Sequence, residues 1–140
     1  MNVANVVVTI ALLALSGCGQ RSPHESPSVI VALGNEPFWN VRVTAHDILY
    51  RDPEHQEGYR FPPVAEVEEG DARVFRTRRE IPAGEPGPRS LELRIWQGAC
   101  SDGMSDREYS MSALVKIGEE THTGCAYNES AAGQVRTGGQ

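Results

Sequence analysis

No stretch of this 140-residue chain is apolar for long enough to cross a bilayer as a helix. The longest apolar run, residues 6–15, is broken only by Thr9 and falls well short of the roughly 20 residues that a span requires. Positive charge is in deficit: 13 Lys and Arg stand against 19 Asp and Glu, for a net charge of -6. A chain of acidic balance makes a poor nucleic-acid binder. Cysteine is scarce, three in all, and no two are spaced C-x-x-C, so the commonest structural zinc signature is missing. No segment shows a convincing amphipathic-helix period, and no internal repeat is present.

What is there begins with an address. The first seventeen residues, MNVANVVVTIALLALSG, carry no charged side chain, and the apolar run at 6–15 within them has the length of a secretory h-region. They end in Leu15-Ser16-Gly17-Cys18, which resembles a bacterial lipobox. That resemblance implies cleavage before Cys18 and acylation of its thiol and new amino terminus, palmitate included. Each buried methylene is worth about 0.8 kcal/mol, and more than one chain makes anchoring stable. Gly19 and Gln20 follow where an aspartate would suggest inner-membrane retention, so the expected location is the periplasmic face of the outer membrane.

The division expected is a signal peptide at 1–17, a lipidated tether at 18–28, a β domain at 29–127 and a flexible tail at 128–140. With Cys18 lipidated, Cys100 and Cys125 remain as a pair in an oxidising compartment, where a disulfide is the default. Closing a loop of this length is worth roughly 3.5 kcal/mol in the chain-entropy model.

Within the domain, strand-like runs alternate with turn signals. SVIVALG at 28–34 and FWNVRVT at 38–44 flank a tight break at Asn35-Glu36-Pro37. Further runs lie at 46–51, 73–80, 90–97, 109–117 and 121–127, with a short strand expected at 59–61 inside a Pro- and Glu-rich loop. Prolines 62 and 63 exclude a central strand there. The fold expected is all-β, a small antiparallel barrel or sandwich of about seven strands, tied by the disulfide.

Two strings carry the candidate sites. CSDGMSDREY at 100–109 offers Asp102, Gly103, Met104, Ser105, Asp106 and Arg107 as a candidate binding loop. Its plain reading is a turn fastened by the disulfide: Asp-Gly favours a turn, and Ser and Asp cap backbone amides. No His lies near Ser101 or Ser105 in sequence to activate a nucleophile. GNEPFWN at 34–40 offers Glu36, Phe38 and Trp39, with core packing the simplest role for Trp39. His46, Asp47, Asp52, Glu54 and His55, with His122, match no standard metal spacing, and no metal or other cofactor is expected. Arg73, Arg76, Arg78 and Arg79 read as a charge-guarded edge strand, with contact to anionic lipid as the sharper alternative.

GNEPFWNV, CSDGMSDREY and Gly124-Cys125-Ala126 together resemble a family of small bacterial envelope lipoproteins with no assigned function, found alone or beside META-type or lysozyme-inhibitor-type domains. The resemblance covers roughly residues 30–127. Ser110-Met111 departs from the family's usual proline after the tyrosine. The resemblance implies a disulfide-bearing envelope domain and no known substrate.

The function expected is a non-enzymatic protein-binding or envelope-maintenance module, attached to the membrane through Cys18. The alternatives are a lipocalin-like carrier of a small apolar ligand, which needs a hollow barrel, and a lysozyme-inhibitor-like protein. Filling of the interior by Trp39, Phe75, Leu93 and Met111 would leave no room for such a ligand.

Overall fold

The computed structural model describes residues 28–129. The expected signal peptide, Cys18, nearly all of the tether and residues 130–140 lie outside them. The described residues form nine strands: β1 (Val29–Asn35), β2 (Phe38–Val43), β3 (Ile48–Arg51), β4 (Tyr59–Phe61), β5 (Val67–Glu69), β6 (Ala72–Arg78), β7 (Ser90–Ser101), β8 (Glu108–Ile117) and β9 (Glu120–Glu129). All pair antiparallel in one sheet, in the order β4-β3-β2-β1-β9-β8-β7-β6-β5. Two meanders are thus joined where the first strand meets the last.

Two strands exceed the expected count of about seven. β5 has the sequence Val-Glu-Glu, three residues at a sheet edge with no apolar alternation to announce it. β4 sits at the other edge, where the missing amides of Pro62 and Pro63 do no harm. The expected tail also starts too early. Asn128 and Glu129 belong to β9 and pair with Ile30 and Val29. Glu129 also binds Arg42 on β2 at 2.5 Å.

The sheet curls into a half-barrel. β4 and β6 stand near opposite ends of the strand order, yet Thr77 on β6 donates to the Pro62 carbonyl just after β4 at 2.8 Å. The Arg79 guanidinium lies 4.8 Å over the Tyr59 ring and 5.8 Å from that of Phe61, while its Nε donates to Pro88 O at 2.8 Å. Those contacts form only if the two flanks approach.

Alternation puts one face of every long strand inside. Leu91, Leu93 and Ile95 of β7 pair with Ile117, Val115 and Ala113 of β8, and all are buried. A fully buried aliphatic side chain contributes about 1.5–3 kcal/mol. Trp39, Phe75, Leu93 and Met111 are all buried in one cluster, so side chains fill the interior.

The outer face of β5, β6 and β7 carries an ion ladder. Arg76 binds Glu69 bidentately and reaches Glu92 at 2.6 Å. Arg94 bridges Glu92 and Glu69. Arg73 belongs to the inner face, opposite Ile95, where it reaches Met111 Sδ and pairs with Glu66 at 2.6 Å. Hydrogen bonds from Arg76 draw the Glu69 carboxyl down to about 2. Burial pushes Glu92 up, but its bonds from Arg76 and Arg94 together outweigh that and hold it below the usual carboxylate range. The arginine run is therefore not an open cationic patch. Two of its four members hold carboxylates, Arg79 is stacked on aromatic rings, and Arg78 is left as the exposed charge.

Candidate functional site

The site is made by a ribbon that leaves the sheet. β8 pairs with β9 from Ile117 down to Met111 and no further, whereas β8 stays paired with β7 down to Ser101↔Glu108. Below Met111, β9 pairs with β1 alone. The ribbon of residues 97–110 thus stands off as a two-stranded arm. Its root is a bulge between Gln97 and Cys100. Gly98 takes φ 149° there, a conformation that side-chain-bearing residues avoid.

The arm folds back over the outside of the sheet. Ala126 packs in the core, so its neighbour Cys125 projects from the opposite, outer face. The Cys100–Cys125 disulfide, with Cα atoms 5.6 Å apart, fastens the arm to that face. In a flat sheet the arm's tip would lie beyond the Val29 end of β1, about 20 Å from Asn35 at roughly 3.3 Å per residue. Instead Asn35 Nδ2 donates to Asp102 O at 2.7 Å.

The tip is organised around one carboxylate. Asp102 accepts from the amides of Ser105 at 2.9 Å and Met104 at 3.1 Å, from Ser105 Oγ at 2.8 Å and from the Tyr109 hydroxyl at 3.1 Å. The Ser105 amide, then its hydroxyl, then the Met104 amide pull the Asp102 carboxyl down to about 2. Burial pushes Tyr109 up, and its bond to Asp102 adds to the rise. Gly103, at φ 72°, turns the chain and donates to Ser101 Oγ at 3.2 Å. Both serine hydroxyls are engaged within the loop, and neither bonds a histidine among the described residues.

Trp39 explains two glycines. A Cβ on Gly34 would fall 2.2 Å from Trp39 Nε1, and one on Gly124 would fall 2.0 Å from Leu33 O and 2.9 Å from Trp39 Cζ2. The indole lies flat against both backbones. GNEPFWN and Gly124-Cys125-Ala126 therefore interlock through the Trp39 ring, which is buried as expected.

An open cleft of about 450 Å³ lies above these glycines. Residues 33–36, 100–104 and 123–125 line it, one segment from each of the three strings. Asp102, Gly103, Met104 and Glu36 of the expected residues are in its wall, while Ser105, Asp106 and Arg107 continue the exposed tip. Glu36 precedes a cis proline at the turn. Phe38 pairs with Asn35 across the β1–β2 hairpin, so both side chains leave the same face beside the cleft. Phe38 is 52% exposed and Met104 68%, and the third large exposed apolar residue described, Val67 at 53%, is on edge strand β5. Among the described residues no Arg, Lys or His lines the cleft, whereas Glu36 and Asp102 do.

Asn35, Gly34, Thr123 and Gly124 are additions to the expected set. Gly34, Asn35 and Gly124 lie inside the quoted strings without having been given a role there, and Thr123 adjoins the last of them. The acidic and histidine residues at 46–55 do not converge. Asp47 binds Thr44 and Arg60, and Asp52 binds His55. Among the described residues no group of three or more His, Cys, Asp or Glu is placed to hold a metal ion. No family model, curated protein or solved structure matches the chain.

Proposed function

We propose that this is a lipid-anchored protein of the bacterial cell envelope whose β domain binds a partner protein at the cleft and catalyses no reaction. One observation carries the reading. Two of the three large apolar side chains exposed on the described surface, Phe38 and Met104, flank the one cleft that all three strings build. Aromatic residues and methionine are enriched at interface centres, and pockets beside them hold the anchors that dominate binding.

The lining specifies the occupant. Two carboxylates and no cation suit a protein loop that inserts a basic side chain, with Glu36 as counter-ion and Phe38 and Met104 packing on the flanking apolar part. A lysozyme-inhibitor-like role is the special case in which that partner is a lysozyme. A lipocalin-like carrier would need a hollow interior, which Trp39, Phe75, Leu93 and Met111 occupy.

Attachment rests on the lipobox at Cys18. No helix among the described residues is long and apolar enough to cross a membrane. A tether from Cys18 to Ser28 reaches up to about 35 Å when extended. It enters β1 at Val29, the end of that strand remote from the 36–37 turn.

The test is retention of envelope proteins by the full chain, against a Glu36→Gln, Phe38→Ala, Met104→Ala variant of unchanged melting temperature. A protein held by the native chain and lost by the variant supports the reading. Equal retention overturns it.

A further inference from the structure

We propose that the Cys100–Cys125 disulfide is a redox latch on the cleft, and that its reduction lets the 97–110 arm swing away about the Gly98 bulge and take one wall of the cleft with it. As regulation of the cleft this rests on the docking reading, whereas the hinge rests on the fold alone.

The arm is built to move as a unit. Its tip is held together internally by Asp102, which bonds Met104, Ser105 and Tyr109, all on the arm itself. Its ties to the sheet are few. They are the disulfide, the Asn35–Asp102 bond, and the tilted packing of Tyr109 on Tyr127, with ring centroids 5.9 Å apart, near the root. Neither strand of the arm pairs with β9. The root is a register shift containing a glycine at positive φ, where backbone bonding is already interrupted.

The two halves of the cleft therefore differ in attachment. Residues 33–36 and 123–125 belong to paired strands and the turn at the centre of the sheet, whereas 100–104 belong to the arm. One neutral hydrogen bond is worth about 0.5–1.5 kcal/mol, less than a disulfide closing a loop of this size. The covalent bond is therefore the larger restraint.

The chemistry is accessible. Both cysteines line the open cleft; Cys100 is half-buried and Cys125 is buried. A thiolate of a dithiol reductant attacks Cys100 Sγ, the S–S bond breaks, and Cys125 leaves as a thiolate that takes a proton from solvent. The reductant's second thiol, as thiolate, then attacks its own sulfur in the mixed disulfide. That releases Cys100 as a thiol and leaves the reductant as a disulfide. Two electrons pass from reductant to protein.

Hydrogen exchange of the full chain tests this, comparing the oxidised protein with protein reduced by dithiothreitol. Alkylation of Cys100 and Cys125, read by peptide mass, verifies reduction. Off the sheet the arm is an isolated two-stranded ribbon, marginally stable in water, so it frays once released. Amides of 100, 101, 104, 105 and 109 are therefore expected to exchange about tenfold faster or more on reduction, with 39–43 and 91–95 little changed. A Cys100→Ser, Cys125→Ser variant reproduces the reduced pattern. Unchanged exchange in the arm overturns the latch, and so does loss of protection throughout the domain, which would make the bond a staple of the whole fold. If the arm opens but the Phe38→Ala, Met104→Ala variant still holds the partner, the latch stands and the docking reading falls. If the arm stays closed and that variant loses the partner, docking stands and the latch falls.

Discussion

Asn35 and Asp102 are 67 residues apart in sequence and 2.7 Å apart in space, side-chain amide to main-chain carbonyl. That bond joins the hairpin turn of the first string to the arm of the second and closes the cleft between them. Asn35→Ala removes the donor and strands a partly buried carbonyl. The expected cost is about 1 kcal/mol in urea unfolding, within the range for a neutral bond. Partner retention is expected to fall with it. A variant as stable as the native chain would mean the bond contributes nothing to closure.

The arm's tip is expected to respond to acid through Asp102. Its folded-state pKa, about 2, lies below the unfolded value of about 4, because the folded loop favours the ionised carboxylate. The stabilisation is therefore fully present above pH about 4 and is lost as pH falls through about 2. Exchange at the Ser105 amide is expected to accelerate over that window beyond its intrinsic pH dependence. Asp102→Asn should weaken the tip at neutral pH and flatten the acid response. An Asp102→Asn protein with the native acid profile would assign the response to another group.

Gly124→Ala is expected to be more damaging than Gly34→Ala. The new methyl at 124 meets the Leu33 carbonyl at 2.0 Å, and backbone in mid-sheet cannot yield. At 34 the two nearest atoms belong to the Trp39 side chain, at 2.2 and 2.7 Å, and the nearest backbone atom, Thr123 O, is farther, at 2.8 Å. Overpacking of this kind costs typically about 1–3 kcal/mol, and Gly124→Ala belongs at the upper end. Thermal unfolding and Trp fluorescence of both variants check the order. A Gly34→Ala protein with native stability and native Trp fluorescence would contradict the packing of Trp39 against that glycine.

Much of the fold was legible because alternation is a local signal. Trp39, Val41 and Val43 mark one face of β2, and Leu91, Leu93 and Ile95 one face of β7. The pairing of Cys100 with Cys125 followed from cysteine number and the oxidising compartment expected from the N-terminal segment. β5 was not legible, since Val-Glu-Glu has no apolar period and its place is decided by pairing with Ala72, Arg73 and Val74 on β6. The arm was not legible either. Nothing near residue 97 says that β8 will part from β9 at Met111, because that depends on where β9 pairs with β1. Asn35 was unremarkable for the same reason, its partner being 67 residues away.

The arginine run does not guard an edge, as expected of it, since β6 lies between β7 and β5; its ion pairs also argue against the anionic-lipid alternative. Arg73 and Arg76 are held by Glu66, Glu69 and Glu92. Arg73→Gln, Arg76→Gln and Arg78→Gln together are expected to leave binding of the unlipidated chain to anionic vesicles unchanged. Exposed ion pairs are worth about 0–1 kcal/mol each, so stability should also change little. Sedimentation with vesicles reads the first and urea unfolding the second. A marked loss of vesicle binding would return these residues to a membrane role.

Site-specific photo-crosslinking tests the docking cleft most directly. A photoreactive amino acid is placed singly at position 38, at position 104, and at position 56 in the loop between β3 and β4, in the full chain within intact cells. The account predicts one and the same protein adduct from 38 and 104 and none from 56. Adducts that differ between 38 and 104, or that form equally from 56, or that form from none of the three, would contradict it.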